Sequence, residues 1–349
     1  LKRWVGSIVG IVGIAAVLMV TITGGAVAAA KSSGKIKVCV SLAGYSTGFW
    51  AAYVQYEATY AKQDGITLDG PISANGDAAT QASQLQTCIN QKVNALLINP
   101  VDSAAISTTD ALAAKHHIPV VMMDVGPSSA PHIYAVVRAN NLTIGADGAD
   151  YICKHAGGGK YSSTVTGTAA VLQGDLASIN GLDRSNGFVN EMGKVCPEIH
   201  VVTYPTLWAS ATAVQDATTA LSTFSNLVGI YNSFSGPDNG IISALQSAGK
   251  LHTVAFVETD GVPAELALIR AGTLDATVSQ PVDLYAKEGL AYAKLAAQHK
   301  AEPKIGSKGL GGGTIVSLNG SPEDALPSTF VTSANANNAS LWGNTYKGP

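Results

Sequence analysis

The chain has 349 residues, of which 46% are hydrophobic and only 13% charged, with a formal net charge of −3. That length exceeds one small domain and suits two of ordinary size, and the slight acidic excess excludes the basic footprint a nucleic-acid binder needs to meet phosphates. Apolar residues recur in periodic blocks, which argues against disorder, and a single apolar run long enough to cross a bilayer excludes repeated membrane spans.

That run comes first. Lys2 and Arg3 form a short basic region, and residues 5–27 carry no charge. Ala26-Val27-Ala28 and Ala28-Ala29-Ala30 both fit the small-x-small cleavage pattern, so residues 1–30 read as a secretory signal peptide and the mature chain as periplasmic. An uncleaved membrane anchor is the alternative, because the apolar stretch is longer than a usual signal core of about 7–15 residues. Cys39 follows Ile36-Lys37-Val38 and not a lipobox, which argues against a lipoprotein. Export makes disulfides the expected state of Cys39, Cys88, Cys153 and Cys196, with three connectivities open. Four buried thiols are the other reading. Zinc is a poor one, since no Cys has CxxC or Cys/His spacing.

Strands and helices then alternate. Residues 36–42 are β-rich. Thr47 stands where it can cap a helix that puts Ala52, Tyr53, Tyr56 and Tyr60 on one face. Residues 66–73 read as a second strand, and Asp77 caps a helix whose buried face holds Ala78, Ala82, Leu85 and Ile89. Residues 95–99, apolar up to the closing Asn99, and residues 118–123, apolar throughout, are short strands on either side of a helix at 103–115. Strands apolar on both faces mark a parallel sheet covered by helices on both sides.

The pattern repeats with strands at 169–173, 199–204, 227–232 and 253–257. Pro237 and Gly249 bracket one helix, and Pro263 and Gly272 the next. Two such runs predict an α/β protein of two doubly wound parallel-sheet lobes, joined near 137–141. Residues 302–327, rich in Gly, Lys, Ser and Pro, read as a surface excursion with a strand at 314–318.

Ligands of open α/β sheets bind beyond the carboxyl ends of the strands. The residues there are Phe49 and Trp50 after the first strand, Asp124 after residues 118–123, then Trp208, Phe234 and Asp260 in the second run. Aromatic faces pack on C–H surfaces and carboxylates accept hydrogen bonds from hydroxyls, so the set suits a neutral polyhydroxy ligand. Each residue has a plainer role open to it: Phe49 and Trp50 as core, Trp208 as a cap on its lobe, Asp124 and Asp260 as helix N-caps.

Leu96-Leu97-Ile98-Asn99-Pro100-Val101-Asp102-Ser103 followed by Ile118-Pro119-Val120-Val121-Met122-Met123-Asp124 resembles the bacterial periplasmic sugar-binding proteins, close to the ribose-binding group. Further matches are Leu172-Gln173-Gly174, Arg184-Ser185-Asn186-Gly187-Phe188, Ala244 through Lys250, and Ala276 through Gln280. The resemblance runs from residue 35 to about 300 and resumes at 331–335. It implies the type I binding-protein fold: two lobes, residues 35–139 plus 281–330 and residues 140–280 plus 331–349, joined by three crossovers that act as hinges. It implies a monomer that closes on a monosaccharide or polyol and delivers it to the membrane permease of an ATP-driven importer, with no enzyme activity, cofactor or metal.

The family's ligand-binding positions fall on Phe49, Trp50, Asp124, Trp208 and Asp260, and its hinge glutamine on Gln280. Thr47 stands where the family has Asn before the aromatic pair, and Phe234 where it has Asn at a strand end. Val125 and Leu182 replace family arginines, Ala43 replaces a polar residue, and Arg184 reads as structural. The resulting pocket is less basic than a ribose site. The expected ligand is therefore a neutral monosaccharide, deoxysugar or sugar alcohol other than plain ribose, with an ordinary hexose held by the loop at 46–48 as runner-up. Pairing within lobes, Cys39–Cys88 and Cys153–Cys196, is the expected connectivity. In a 2-1-3 strand order the helix bearing Cys88 crosses the strand bearing Cys39, and a bridge between lobes would block closure.

Two other functions compete. A sugar sensor feeding a chemoreceptor or kinase would show the same ligand chemistry. A secreted glycosidase would use Asp124 and Asp260 as acid and base, but on two mobile lobes they lack the fixed geometry catalysis needs. His116-His117 at a helix end reads as capping and not as a metal site.

Overall fold

The computed structural model describes residues 35–44 and 47–348; the expected signal peptide, and Ser46 of the first strand-end loop, lie outside the described residues. The first βα run is β1 (Lys37–Leu42), α1 (Gly48–Asp64), β2 (Thr67–Ser73), α2 (Ala78–Asn90), β3 (Ala95–Ile98), α3 (Ile106–Lys115), β4 (Val120–Met123) and β5 (Ile133–Ala139). The second is α4 (Asn141–Ala156), β6 (Gly167–Gln173), α5 (Ile179–Val195), β7 (Ile199–Pro205), α6 (Ser210–Thr223), β8 (Leu227–Asn232), α7 (Asp238–Ser247), β9 (Ala255–Asp260), α8 (Pro263–Arg270) and β10 (Ala276–Ser279). The chain returns through α9 (Val282–Ala297), β11 (Ile315–Leu318), β12 (Ser321–Leu326), β13 (Thr329–Val331) and α10 (Trp342–Thr345).

These strands form two mostly parallel sheets. One has the order β11-β12-β5-β4-β3-β1-β2 and the other β13-β10-β9-β8-β6-β7. Every residue of β3 and β4 is buried, as strands sandwiched between helix layers must be. The chain passes between the sheets at Asn140, at Gln280-Pro281 and at Pro327-Ser328. The third passage lies before the expected 331–335, because Val331 already pairs with Thr277 of β10.

Two local expectations are corrected. Asp77 does cap α2, accepting from Thr80 N at 2.5 Å. The buried face of α2 is Gln81, Leu85, Cys88 and Ile89, however, and Ala82 is exposed. The stretch read as a surface excursion carries β12, which runs parallel to β5 and is almost wholly buried. Its sequence begins Ser-Pro-Glu-Asp, with no apolar run to betray a strand. Specific partners hold several of its polar groups: Asp324 Oδ2 accepts from Tyr292 OH at 2.8 Å and Gly311 N at 3.1 Å, and Ser321 Oγ donates to Ala130 O at 3.1 Å. Buried polar groups so paired carry little penalty.

Cys39 is bonded to Cys88, tying β1 to α2, and Cys153 to Cys196, tying α4 to the end of α5. Both bridges lie within lobes as expected, and β2-β1-β3 is the strand order that places α2 across β1.

Candidate functional site

The carboxyl ends of the two sheets face each other across a cavity of about 580 Å³, within the range of small-molecule sites, about 300–1,000 Å³. Thr47, Phe49, Trp50, Asp124, Trp208, Phe234, Asp260 and Gln280 all line it.

The first lobe supplies one aromatic wall. Thr47 is the N-cap residue of α1 but its side chain makes no capping bond. Phe49 and Trp50 follow in the first turn, with ring centroids 5.5 Å apart and nearly perpendicular. Phe49 is buried in the core of its lobe as well as lining the cavity, so the packing and binding readings coexist there.

Asp124 follows β4 directly, with φ at +62°. Its side chain caps no helix. Its Oδ2 accepts from Asn99 Nδ2 at 2.9 Å and its Oδ1 from Asn180 Nδ2 at 3.1 Å. Asn180 lies on α5, so the lobes are bridged at this carboxylate. Ser103 Oγ, accepting from Ile179 N at 3.1 Å, adds a second bridge. Burial raises the Asp124 carboxyl to about 6, against the opposing pull of Arg184.

The second wall is Trp208, with φ at +61°, set edge-on to Phe234 at 5.5 Å. The indole lies so close over Gly174 that a Cβ there would run into it. Asp260 ends β9. Its Oδ2 accepts from Ser235 N at 2.9 Å and Ser235 Oγ at 2.7 Å, and its Oδ1 from Gln280 Nε2 at 2.6 Å. Its carboxyl is raised by burial, with Arg184 again opposing. It does not cap α8, whose N-cap is Val262. Of the ten described non-glycine residues with positive φ, five line this cavity: Asn75, Asp124, Leu207, Trp208 and Asp260. Backbone conformations this costly cluster at binding sites.

Arg184, expected to be structural, is so in part: Nε donates to Asn141 Oδ1 at 2.7 Å and Nη1 to Ser233 O at 2.6 Å. It also lines the cavity and lies 3.9 Å from Asp260. The pocket therefore contains a guanidinium that the sequence reading set aside. Leu182, by contrast, is 41% exposed and lies off the cavity. Asn99, Asn180 and Ser235 were also missed. Asn99 follows β3 directly, so the strand-end rule would have found it, whereas Asn180 reaches in from a helix and leaves no such signal.

A family model described as a periplasmic binding protein domain matches residues 12–301. The D-allose-binding periplasmic protein of Escherichia coli is 27% identical over 247 residues, covering 68% of this chain and 78% of that protein. The xylitol-binding protein of Mycolicibacterium smegmatis is 28% identical over 237 residues, covering 67% and 65%. The crystal structure of an ABC transporter solute binding protein from Bacillus halodurans with bound myo-inositol superposes with a TM-score of 0.75 at 19% identity, covering 90% of this chain and 100% of that one.

Proposed function

The chain belongs to the periplasmic binding protein family, and from that premise we propose that it captures a small neutral monosaccharide, deoxysugar or sugar alcohol and hands it to the membrane permease of an ATP-driven importer. It is a binding protein and not an enzyme, as are its relatives for D-allose and xylitol. The carrying observation is the pair of buried carboxylates, Asp124 and Asp260, on opposite lobes of one aromatic-walled cavity. Each is held by N–H or O–H donors that keep its acceptor oxygens in place for ligand hydroxyls.

Charge supports a neutral ligand. Arg184 is already engaged by Asn141 and Ser233 and faces Asp260, so an anion would meet a guanidinium whose charge is offset. Val125 and Phe234 add buried apolar wall, which suits a methyl group or an open polyol chain better than ribose. Export by a cleaved signal, action as a monomer and the roles of Thr47, Phe49, Trp50, Trp208 and Gln280 as ligand contacts are parts of this reading. The two disulfides support an oxidising compartment.

A thermal-shift screen across pentoses, hexoses, deoxysugars, polyols and sugar acids tests it. A ligand at about 100 times its Kd adds roughly 2.7 kcal/mol of stability. One neutral polyol or deoxysugar should stabilise most. Stabilisation by ribose alone, or best by a sugar acid, would show the ligand assignment wrong. Co-purification of the ligand-loaded protein with its permease separates importer from sensor, and N-terminal sequencing of exported protein separates signal from anchor.

A further inference from the structure

Behind the cavity, the second lobe buries three carboxylates. Asp238 opens α7, Glu258 lies within β9 and Glu265 in the first turn of α8, with 5%, 0% and 0% exposure. One oxygen from each lies within 4.8 Å of those of the other two. Each side chain is anchored through a single oxygen. Asp238 Oδ2 accepts from Gly236 N at 3.2 Å and Glu258 Oε2 from Asn232 Nδ2 at 2.7 Å. Glu265 Oε2 accepts from Gly261 N at 2.7 Å and Thr277 Oγ1 at 2.6 Å. The remaining oxygens, Asp238 Oδ1, Glu258 Oε1 and Glu265 Oε1, are buried with no hydrogen-bond partner. Among the described residues none of the three forms an ion pair; Arg184 is spent on Asp260, which adds a further negative charge.

We propose that Asp238, Glu258 and Glu265 hold one hard cation of the Ca²⁺ type, fixing α7, β9 and α8 to one another. Buried charges without a counter-charge are too costly to stand alone. Protonation is the other remedy, and burial with mutual repulsion does push these carboxyls upward. Asp238 and Glu258 also hydrogen-bond each other side chain to side chain, which a shared proton would satisfy, while the other contacts, from Gly236 N, Asn232 Nδ2, Gly261 N and Thr277 Oγ1, are donors that suit ionised carboxylates. Oxygen-only ligands select a hard cation. Oxygens within 4.8 Å of one another fit the span of Ca²⁺, whose oxygen ligands stand at about 2.3–2.6 Å in flexible geometry, whereas Mg²⁺ demands a near-ideal octahedron.

The ion would also brace the ligand cavity. Asn232 Nδ2, which holds Glu258, also donates to Phe234 O, and Gly236, which holds Asp238, follows Ser235 on Asp260.

The test uses the whole protein, stripped with a chelator and titrated calorimetrically with Ca²⁺ alone, with Mg²⁺ and Na⁺ in parallel, while melting is followed. The expected result is one Ca²⁺ per chain, a melting point raised by several degrees, and loss of both in Glu258→Gln and in Asp238→Asn. If wild-type protein binds none of the three ions at millimolar concentration and its melting is unmoved, the proposal is overturned. Ca²⁺ binding that survives in both variants overturns it equally, since the ion is then held elsewhere. The wild-type titration decides even where a variant fails to fold.

Discussion

Gln280 donates from Nε2 to Asp260 Oδ1 at 2.6 Å, so a residue at a passage between the lobes holds the carboxylate that ends β9. Tyr285 OH donates to Gln280 Oε1 at 3.1 Å, extending the chain of contacts into α9 of the other lobe. Any lobe movement about this passage would therefore act on the orientation of Asp260. Gln280→Ala leaves a buried carboxylate oxygen short of a donor, at a cost of about 1–3 kcal/mol. The expected outcome is a ligand affinity lowered about tenfold or more, measured by calorimetry. Small-angle scattering of the wild type should show compaction at saturating ligand; an unchanged radius would count against hinge closure.

Asp124 predicts a pH dependence. Its carboxyl stands at about 6, raised chiefly by burial. In the ligand-free protein the folded state therefore holds a proton that the unfolded chain has already released between the ordinary carboxylate value and about 6. Stability from this group falls as pH rises through that window. Ligand hydroxyls donating to Asp124 favour its ionised form, so binding expels the proton and affinity runs the other way. It should weaken as pH falls below about 6, by up to about tenfold per unit, and be flat above about 7. Titrations at several pH values check this, with Asp124→Asn as control. A dependence that persists unchanged in Asp124→Asn assigns the proton to another group.

Trp208 and Gly174 form a second testable pair. Trp208→Ala removes one wall of the cavity, with an expected loss of about 2–4 kcal/mol in binding. Gly174→Ala leaves the indole in the chain but drives it off its seat, because the added methyl would occupy the ring's place. Both variants should lose affinity and remain folded by circular dichroism. Full affinity in Gly174→Ala would mean that the position of the ring does not matter.

What the sequence disclosed, and what it hid, follows from burial. Strands β3 and β4 were legible because both faces are apolar, the Cys39–Cys88 bridge because a 2-1-3 order forces α2 across β1, and the Cys153–Cys196 bridge because its cysteines fall on neighbouring helical segments of one lobe. The eight residues expected at the site share one cavity because strand ends converge in this fold. Polar groups buried among partners were not legible. β12 reads as a polar loop until Tyr292 and Gly311 are seen to hold Asp324. Asn180 and Arg184 face the cavity from α5, where helical spacing alone does not separate a ligand contact from a core contact.

Removing one bridge tests how much each lobe depends on its disulfide. The Cys39–Cys88 bond closes a loop with a sequence separation of 49 residues. The double replacement Cys39→Ser, Cys88→Ser should cost about 2–5 kcal/mol. Denaturant unfolding would read the loss. Peptide mapping without reductant should show no Cys39–Cys153 species in the wild type.

The last prediction separates the apolar wall at Phe234 from the arginine replaced at Leu182. Phe234, Val125 and Leu182 all depart from the ribose-binding pattern, yet only Phe234 and Val125 line the cavity. Phe234 is buried against Trp208, so any ligand stacked on the indole also meets its ring. Phe234→Asn replaces that apolar edge with an amide able to bond hydroxyls. It should weaken the cognate ligand and raise relative affinity for ribose, by about tenfold for one well-placed hydrogen bond. Leu182→Arg restores one of the two missing charges, at an exposed position outside the cavity, and should leave the ligand profile unchanged. Competition measurements with ribose on the two variants decide the matter. A ribose gain in Leu182→Arg and none in Phe234→Asn would place the discriminating contact on α5, where Leu182 sits, and not on the wall shared by Trp208 and Phe234.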